Sequence, residues 1–263
     1  MAKIFHASLH GKTEWSDIDL EASEYYLLIP QSYKLRKEYD RGWKITDIFP
    51  VNGVGMTTAR DHVVIDFEKA PIFERAQIFR DSLEPDREIC DRLSIPLKLG
   101  WDISKARKLI KAEDNLEQHI KSITYRPFDY RHVFYHDSLV WRTVKKVMLH
   151  MLTANNLGLS VCRQIISSSW QHSLVTNHIT DDCYVSNKTR ERSYLFPLYL
   201  YPTTLGEIEM GVTRKPNIAP AFLTKLEQNF GYTPTPEAIF HYIYAIFHSP
   251  EYRSRYADLL KGD

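Results

Sequence analysis

Between Tyr125 and Gln164 the hydrophobic pattern of the chain changes period twice, which constrains the fold more than any other feature. HVFY (132–135) and LGLSVC (157–162) are compact apolar runs that read as strands. Between them Val144, Val147, Met148, Met151 and Leu152 fall on one face of a helix, and Lys145 and Lys146 fall away from that face. Short strands and a short helix in such close succession require a mixed fold. The expected class is α+β, with mixed short-stranded sheets, flanking helices and a C-terminal helical pair.

Other segments fit that class. YYLLIP (25–30) is β-prone and ends at Pro30. ITDIFPV and HVVIDF, within residues 45–67, read as extended and are separated by the loop NGVGMTTARD, where Asn52–Gly53 is a turn dipeptide. A helix is expected from about Pro71 to Asp81, with proline in its first turn. The polar, proline-bearing segment 82–100 marks a boundary between a mixed, strand-rich lobe (1–95) and a main lobe (96–263). Ile103, Ala106, Leu109, Ile110 and Leu116 predict a helix over 102–121, with Asp102 as its cap. LFPLYLY (195–201) reads as a strand, and Pro197 favours an edge position. Pro236 opens a helix carrying Ile239, Tyr242, Ile243 and Ile246, and Ser249–Pro250 opens a second one through Leu260.

Composition excludes little. The chain is 43% hydrophobic and 25% charged, ordinary for a globular protein, and its net charge of +1 does not announce a nucleic-acid binder. Distribution says more. Acidic residues gather at Glu14–Glu24 and Asp81–Asp91, and basic ones at Lys98–Lys146 and at Lys188, Arg190 and Arg192, a pattern that suits one acidic and one basic face. Cys90, Cys162 and Cys183 have no paired spacing, so free thiols and a reducing cytoplasm are expected. The N-terminus has no apolar core of a signal peptide, and no apolar run approaches the roughly 20 residues that span a bilayer.

The chemistry-bearing residues form no complete catalytic set. Gly53 and Gly55 lack the remaining glycine or lysine of a phosphate-binding loop, so NGVGMTTARD reads as a turn, with Arg60 as a candidate phosphate ligand. No GxSxG elbow surrounds the serines, and no Pro-Pro dipeptide of an amino-methyltransferase loop is present. Asp61, Asp66 and Glu68 approach a metal-dependent nuclease in composition, but Lys69 follows Glu68 directly and breaks the register. His172, His178, Asp181, Asp182 and Cys183 suit zinc by type and match no zinc spacing. No metal ligand or catalytic residue is therefore assigned.

The cations between Tyr125 and Gln164 remain. Arg126, Arg131, Arg142, Lys145, Lys146 and Arg163 are interleaved with aromatic residues and the amides Asn155, Asn156 and Gln164. Such groups grip phosphates and read base edges. For Arg126 and Arg131, around Pro127, Phe128 and Asp129, a salt-bridged corner and a DNA contact are equally balanced readings. Arg142, Lys145 and Lys146 suit phosphates, Arg163 and Gln164 suit bases, and Lys188, Arg190 and Arg192 form a further basic group.

At YRPFDYR, WRTVKKVMLHM, NNLGLSVCRQ and PLYLYP the chain resembles the C-terminal specificity region of Type ISP restriction–modification enzymes and of related Type IIG polypeptides. TEW (13–15), ITDIFPVNGVGMTTARD, FRD (79–81), PNIAPAF (216–222) and FHYIYAIFHSPEYRSRYADLLK (240–261) extend the resemblance in the same order. The resemblance implies recognition of double-stranded DNA as a target-recognition domain, with no catalytic activity in this chain alone. The adenine methyltransferase, helicase and nuclease domains would be partners, and S-adenosylmethionine, ATP and magnesium would belong to them. On this expectation the chain is a fragment or a stand-alone remnant. The alternatives are a divergent nuclease using Asp61, Asp66 and Glu68, or a remnant that binds protein.

Overall fold

The computed structural model describes residues 33–96, 100–152, 155–165, 167, 169–185, 191–203, 211 and 213–260. YYLLIP, TEW, Lys188 and Arg190 lie outside them. Helices α1 (Tyr33–Tyr39) and α2 (Ile45–Ile48) lead to strand β1 (Gly53–Val54), then to α3 (Asp61–Val64) and β2 (Ile65–Asp66). Three helices follow: α4 (Lys69–Asp81), α5 (Asp86–Arg92) and α6 (Ile103–Lys111). The hairpin β3 (Ile120–Arg126) and β4 (Asp129–Phe134) precedes α7 (Lys145–Met148) and the strands β5 (Gly158–Cys162), β6 (Ser173–Thr176) and β7 (Ile179–Thr180). Then come β8 (Ser193–Pro197), β9 (Tyr199–Leu200), β10 (Lys215–Pro216) and helices over Pro220–Phe230, Pro236–His248 and Pro250–Arg255. The fold is α+β.

Two four-stranded sheets carry the structure. The first has the order β1-β8-β5-β6 and is antiparallel throughout; the second is β2-β4-β3-β7, with β7 parallel to β3. The first sheet separates two apolar cores. Leu195 of β8 packs with α4, α6 and the second sheet, whereas its neighbour Phe196 packs with Phe49, Phe222, Ile239 and Phe240 on the opposite face. Every residue of β5 is buried as a result, which explains a continuous apolar run where a half-exposed strand would alternate. Ile89, Cys90 and Ile95 of the segment 82–100 share the first core with Met56, Ile103, Ile110 and Ile123, so residues on both sides of position 95 contribute to one core.

Several local expectations hold and several do not. The helix at Lys69–Asp81 places Pro71 in its first turn, and Asp102 caps α6 by accepting from the Lys105 amide at 3.2 Å. The helix expected to reach 121 stops at Lys111, and a separate 3-10 turn at Glu117–His119 leads into β3 at Ile120. ITDI and HVV form helical turns instead of strands, seating Ile48, Val63 and Val64 in the cores. Pro197 does not mark an edge: β8 is internal, but β1 pairs only with Tyr194 and Leu195. Beyond them the buried Asn217 side chain takes over, accepting from the Val51 amide (3.0 Å) and donating to the Val51 and Pro197 carbonyls (2.7 and 2.9 Å). The last helix ends at Arg255, short of Leu260, with Ser249 as its cap.

The decisive local feature is the loop NGVGMTTARD, which crosses between the sheets. Gly55 donates to Ser193 O (3.2 Å), Met56 exchanges backbone bonds with Thr180 and Asp182 (both 2.8 Å), and Thr57 exchanges them with Arg142 (3.0 and 2.9 Å). A Cβ at Gly55 would stand 2.2 Å from Asp181 O and 2.6 Å from Asp182 N, so a side chain there must push two backbones apart. Gly55→Ala is expected to cost about 2–3 kcal/mol in urea unfolding; a variant within about 0.5 kcal/mol of wild type would show that the two backbones separate freely.

Candidate nucleic-acid interface

The crossing brings three surface features to one rim of the molecule. The first is the end of the first sheet where β5 leaves and β8 enters. Cys162 pairs with Ser193, so Arg163 and Arg192 follow in register on adjacent strands, with the exposed Gln164 one step further. The second is Arg142, held by its backbone opposite Thr57. The third is the β3–β4 hairpin tip. Because β7 runs parallel to β3 in the register Thr124–Thr180, this tip points along the segment that leads from Asp181 toward β8.

The sequence-selected cations divide sharply at this rim. Arg60 is only 6% exposed; its guanidinium donates to Leu139 O at 3.0 Å and stacks 4.0 Å from the Trp101 ring, and burial lowers its pKa. Arg126 donates to Asp181 Oδ1 at 2.7 Å and stacks on Tyr125 at 3.9 Å. Arg131 grips both oxygens of Asp129, at 2.8 Å from Oδ2 by Nη2 and 2.9 Å from Oδ1 by Nε, and lies against the Phe67 and Tyr125 rings. The carboxylate raises the pKa of Arg131. RPFDYR is thus a salt-bridged corner, with each arginine satisfied by a different aspartate. Asn156 is also internal: it is buried and bonds the Tyr199 backbone through both amide atoms.

Other cations face solvent. Arg142, Lys146 and Arg192 are exposed and have no side-chain hydrogen bond or ion pair among the described residues, while Lys145 pairs with Asp137. Val147 on the other side of α7 packs toward Gly53, which leaves Lys146 turned outward. Arg163 lies 5.4 Å from the Tyr194 ring. Sequence reasoning overlooked Phe128. It sits at the hairpin tip, 85% exposed and with φ of +62°, a backbone region that a bulky side chain seldom adopts. Its only sequence signal is a Pro-Phe-Asp turn between two charged strands.

Behind the rim lies a partly buried polar network. Tyr125 donates to Asp61 Oδ2 at 2.6 Å, Thr58 donates to Asp61 Oδ1, and Thr57 donates to Asp182 at 2.9 Å. Burial, reinforced by the Asp61 hydrogen bond, pushes the Tyr125 hydroxyl up to about 12. Asp66 is held by Arg75 (2.9 Å) and Asp61 by Tyr125 and Thr58, while Glu68 is exposed, so the carboxylates considered for a nuclease do not form a metal-type cluster among the described residues. His172 turns to Glu191 (3.1 Å) and His178 meets the Tyr130 ring edge to face, so the imagined zinc set is dispersed. Asp181, Asp182 and Cys183 stay close, but burial raises the Cys183 thiol to about 11 and Arg126 already holds Asp181.

Residues 47–263 match the family described as the Type ISP C-terminal specificity domain. The chain belongs to that family. The specificity domain shares its fold with the cryo-EM structure of a DrdV–DNA complex (TM-score 0.62, 21% identity, 82% of this chain and 21% of that chain). It also matches a nuclease-deletion mutant of the Type ISP restriction–modification enzyme LlaGI in complex with a DNA substrate mimic (0.56, 20%, 84% and 20%). The third match is the ATP-dependent Type ISP restriction–modification enzyme LlaBIII bound to DNA (0.61, 20%, 82% and 14%). The chain therefore spans a fifth or less of the length of two of these proteins and 21% of the third. No curated protein matches it in sequence.

Asp181 gives the rim a pH signature. Burial outweighs Arg126 and lifts its pKa from 3.8 to about 6. Between those values the folded state holds more protons than the unfolded state, so this group lowers stability as pH rises and its cost is complete above about 6. Asp181→Asn is expected to gain about 2 kcal/mol relative to wild type between about pH 4.5 and 7.5 in denaturant melts. A pH-independent difference would mean that Asp181 titrates as a solvated carboxylate.

Proposed function

We propose that this chain recognises double-stranded DNA sequence-specifically, as the target-recognition part of a restriction–modification system of the Type ISP kind. The observation that carries the reading is that Arg142, Lys146 and Arg192 of a Type ISP specificity domain are exposed with no side-chain hydrogen bond or ion pair among the described residues, and that Gln164 is an exposed amide just past the end of β5. The solved neighbours of the same fold are complexes with DNA or a DNA mimic, which supports the reading. Arg142, Lys146 and Arg192 neutralise phosphates, a role also assigned to Lys188 and Arg190, which precede Arg192 in sequence. Gln164 and Arg163 read base edges, glutamine favouring adenine and arginine favouring guanine. Arg60, Arg126 and Arg131 act indirectly by holding the rim in shape.

The chain selects a site and does no chemistry of its own in this reading. Methylation of adenine with S-adenosylmethionine, ATP-driven movement and magnesium-dependent cleavage fall to methyltransferase, helicase and nuclease domains of the same system. Its free cysteines fit a cytoplasmic setting. No helix among the described residues is long and apolar enough to cross a membrane.

Two classes of substitution separate the roles. Arg142→Ala and Lys146→Ala are each expected to weaken binding to all duplexes alike and to reduce the slope of log K against log salt by about 0.9. Gln164→Ala is expected to leave the slope unchanged and to narrow the gap between the best and random duplexes by about 1–3 kcal/mol. Fluorescence anisotropy with a selected duplex and a random pool reads both. Failure to bind any duplex at low salt would overturn the proposal.

A further inference from the structure

At the end of the β3–β4 hairpin opposite its exposed tip, three side chains from three segments meet. Glu113 follows α6, His119 precedes β3 and His136 follows β4. The two oxygens of Glu113 are divided between the rings: Oε2 lies 2.8 Å from His119 Nε2 and Oε1 lies 3.2 Å from His136 Nε2. The imidazoles stand edge to face with centroids 4.7 Å apart, and all three donor atoms fall within 4.8 Å of one another. We propose that Glu113, His119 and His136 form a binding site for a zinc-class divalent cation that clips the base of this hairpin to the end of α6.

The donor set suits that ion. Tetrahedral zinc at about 2.0 Å from each nitrogen places its ligands about 3.3 Å apart, close to the two carboxylate–imidazole separations already present. Two imidazoles and one carboxylate form a known three-ligand zinc set, and such sets leave the fourth position to water. Side-chain exposures of 28% for Glu113, 19% for His119 and 14% for His136 leave a solvent path to that position. Mixed nitrogen and oxygen donors favour zinc, cobalt or nickel over magnesium and calcium.

The surroundings fix the rings as a ligand site requires. His136 Nδ1 lies 2.6 Å from Ser138 Oγ, and the Ser138 carbonyl is itself held by the Trp101 indole at 2.8 Å. An outer partner of this kind orients a metal-binding imidazole. The His119 carbonyl accepts from the Tyr135 amide at 2.8 Å, so the backbones bearing the two histidines are locked by the hairpin.

A simple ion pair accounts for the cluster less well. One carboxylate neutralises only one imidazolium, whereas here it is shared by two rings from different segments that a divalent ion would satisfy together. The site lies one strand length from the hairpin tip, about 20 Å along β3, so the ion acts on the fold and not on DNA at the rim. It also stands apart from the proposed function, and either proposal can fail without the other.

The test uses the 263-residue chain, stripped with chelator and titrated with zinc, cobalt or magnesium chloride. One zinc per chain is expected. At a hundredfold excess over Kd it should raise the melting temperature by about 5–10 °C, and cobalt should give the visible absorption of a tetrahedral site. Magnesium should do neither. His119→Ala and His136→Ala should each weaken binding by more than about a hundredfold, while His172→Ala leaves it unchanged. If an alanine variant does not fold, Glu113→Gln, which preserves shape, should lose the cobalt band. No saturable shift and no cobalt band in wild type would overturn the proposal, as would undiminished binding in all three cluster variants.

Discussion

The near-contact of two backbones at Gly55 and Asp181 sets the arrangement of everything around it. Because no side chain intervenes, Gly53–Thr58 can lie against Thr180–Asp182, Arg142 and Ser193 at once and so join the first sheet to the second. That join fixes the position of Asp181, and Asp181 fixes Arg126 at the root of the hairpin tip. A largely buried ion pair of this type adds little net stability, since burial of Asp181 outweighs the attraction of Arg126. Its effect is to hold the hairpin in one orientation relative to Arg142, Arg163 and Arg192.

The distribution of charge follows from the same packing. The arginines nearest the join are consumed by aspartates, carbonyls and aromatic faces: Arg60 by Leu139 O and Trp101, Arg126 by Asp181, Arg131 by Asp129. Arg142 and Arg192, further out, have no side-chain hydrogen bond or ion pair among the described residues. A surface that binds DNA requires both kinds, since phosphate affinity comes from mobile exposed cations whereas selectivity requires a frame that does not yield. The exposed ring of Phe128 sits on a positive-φ backbone that a bulky side chain disfavours, so the frame carries strain toward solvent at the hairpin tip.

What the sequence disclosed was what local rules govern. α4, the capped start of α6, β4, β5 and the paired C-terminal helices were readable because proline, cap residues and apolar spacing act within a few residues. Lys146 was readable as a surface cation because it falls opposite the apolar face of α7. The rest depends on partners distant in sequence. ITDI and HVV form single helical turns, too short to establish a helical period, and are fixed by what Ile48, Val63 and Val64 bury against. The crossing at NGVGMTTARD pairs residues 125 apart, as with Met56 and Asp181, and no local pattern encodes it. Arg60 looked like a phosphate ligand for the same reason, since the Trp101 ring that covers it lies 41 positions away.

Hydrogen–deuterium exchange of the chain, with and without a low-salt pool of random duplexes, tests the central claim most directly. If the rim is the DNA-facing surface, exchange slows in peptides covering the 126–129 hairpin tip, the segment around Arg142–Lys146, and the strand ends at Arg163–Gln164 and Arg192. The helices over Pro220–Phe230 and Pro236–His248 remain unchanged. Protection confined to those C-terminal helices, with the rim unaffected, would contradict the account.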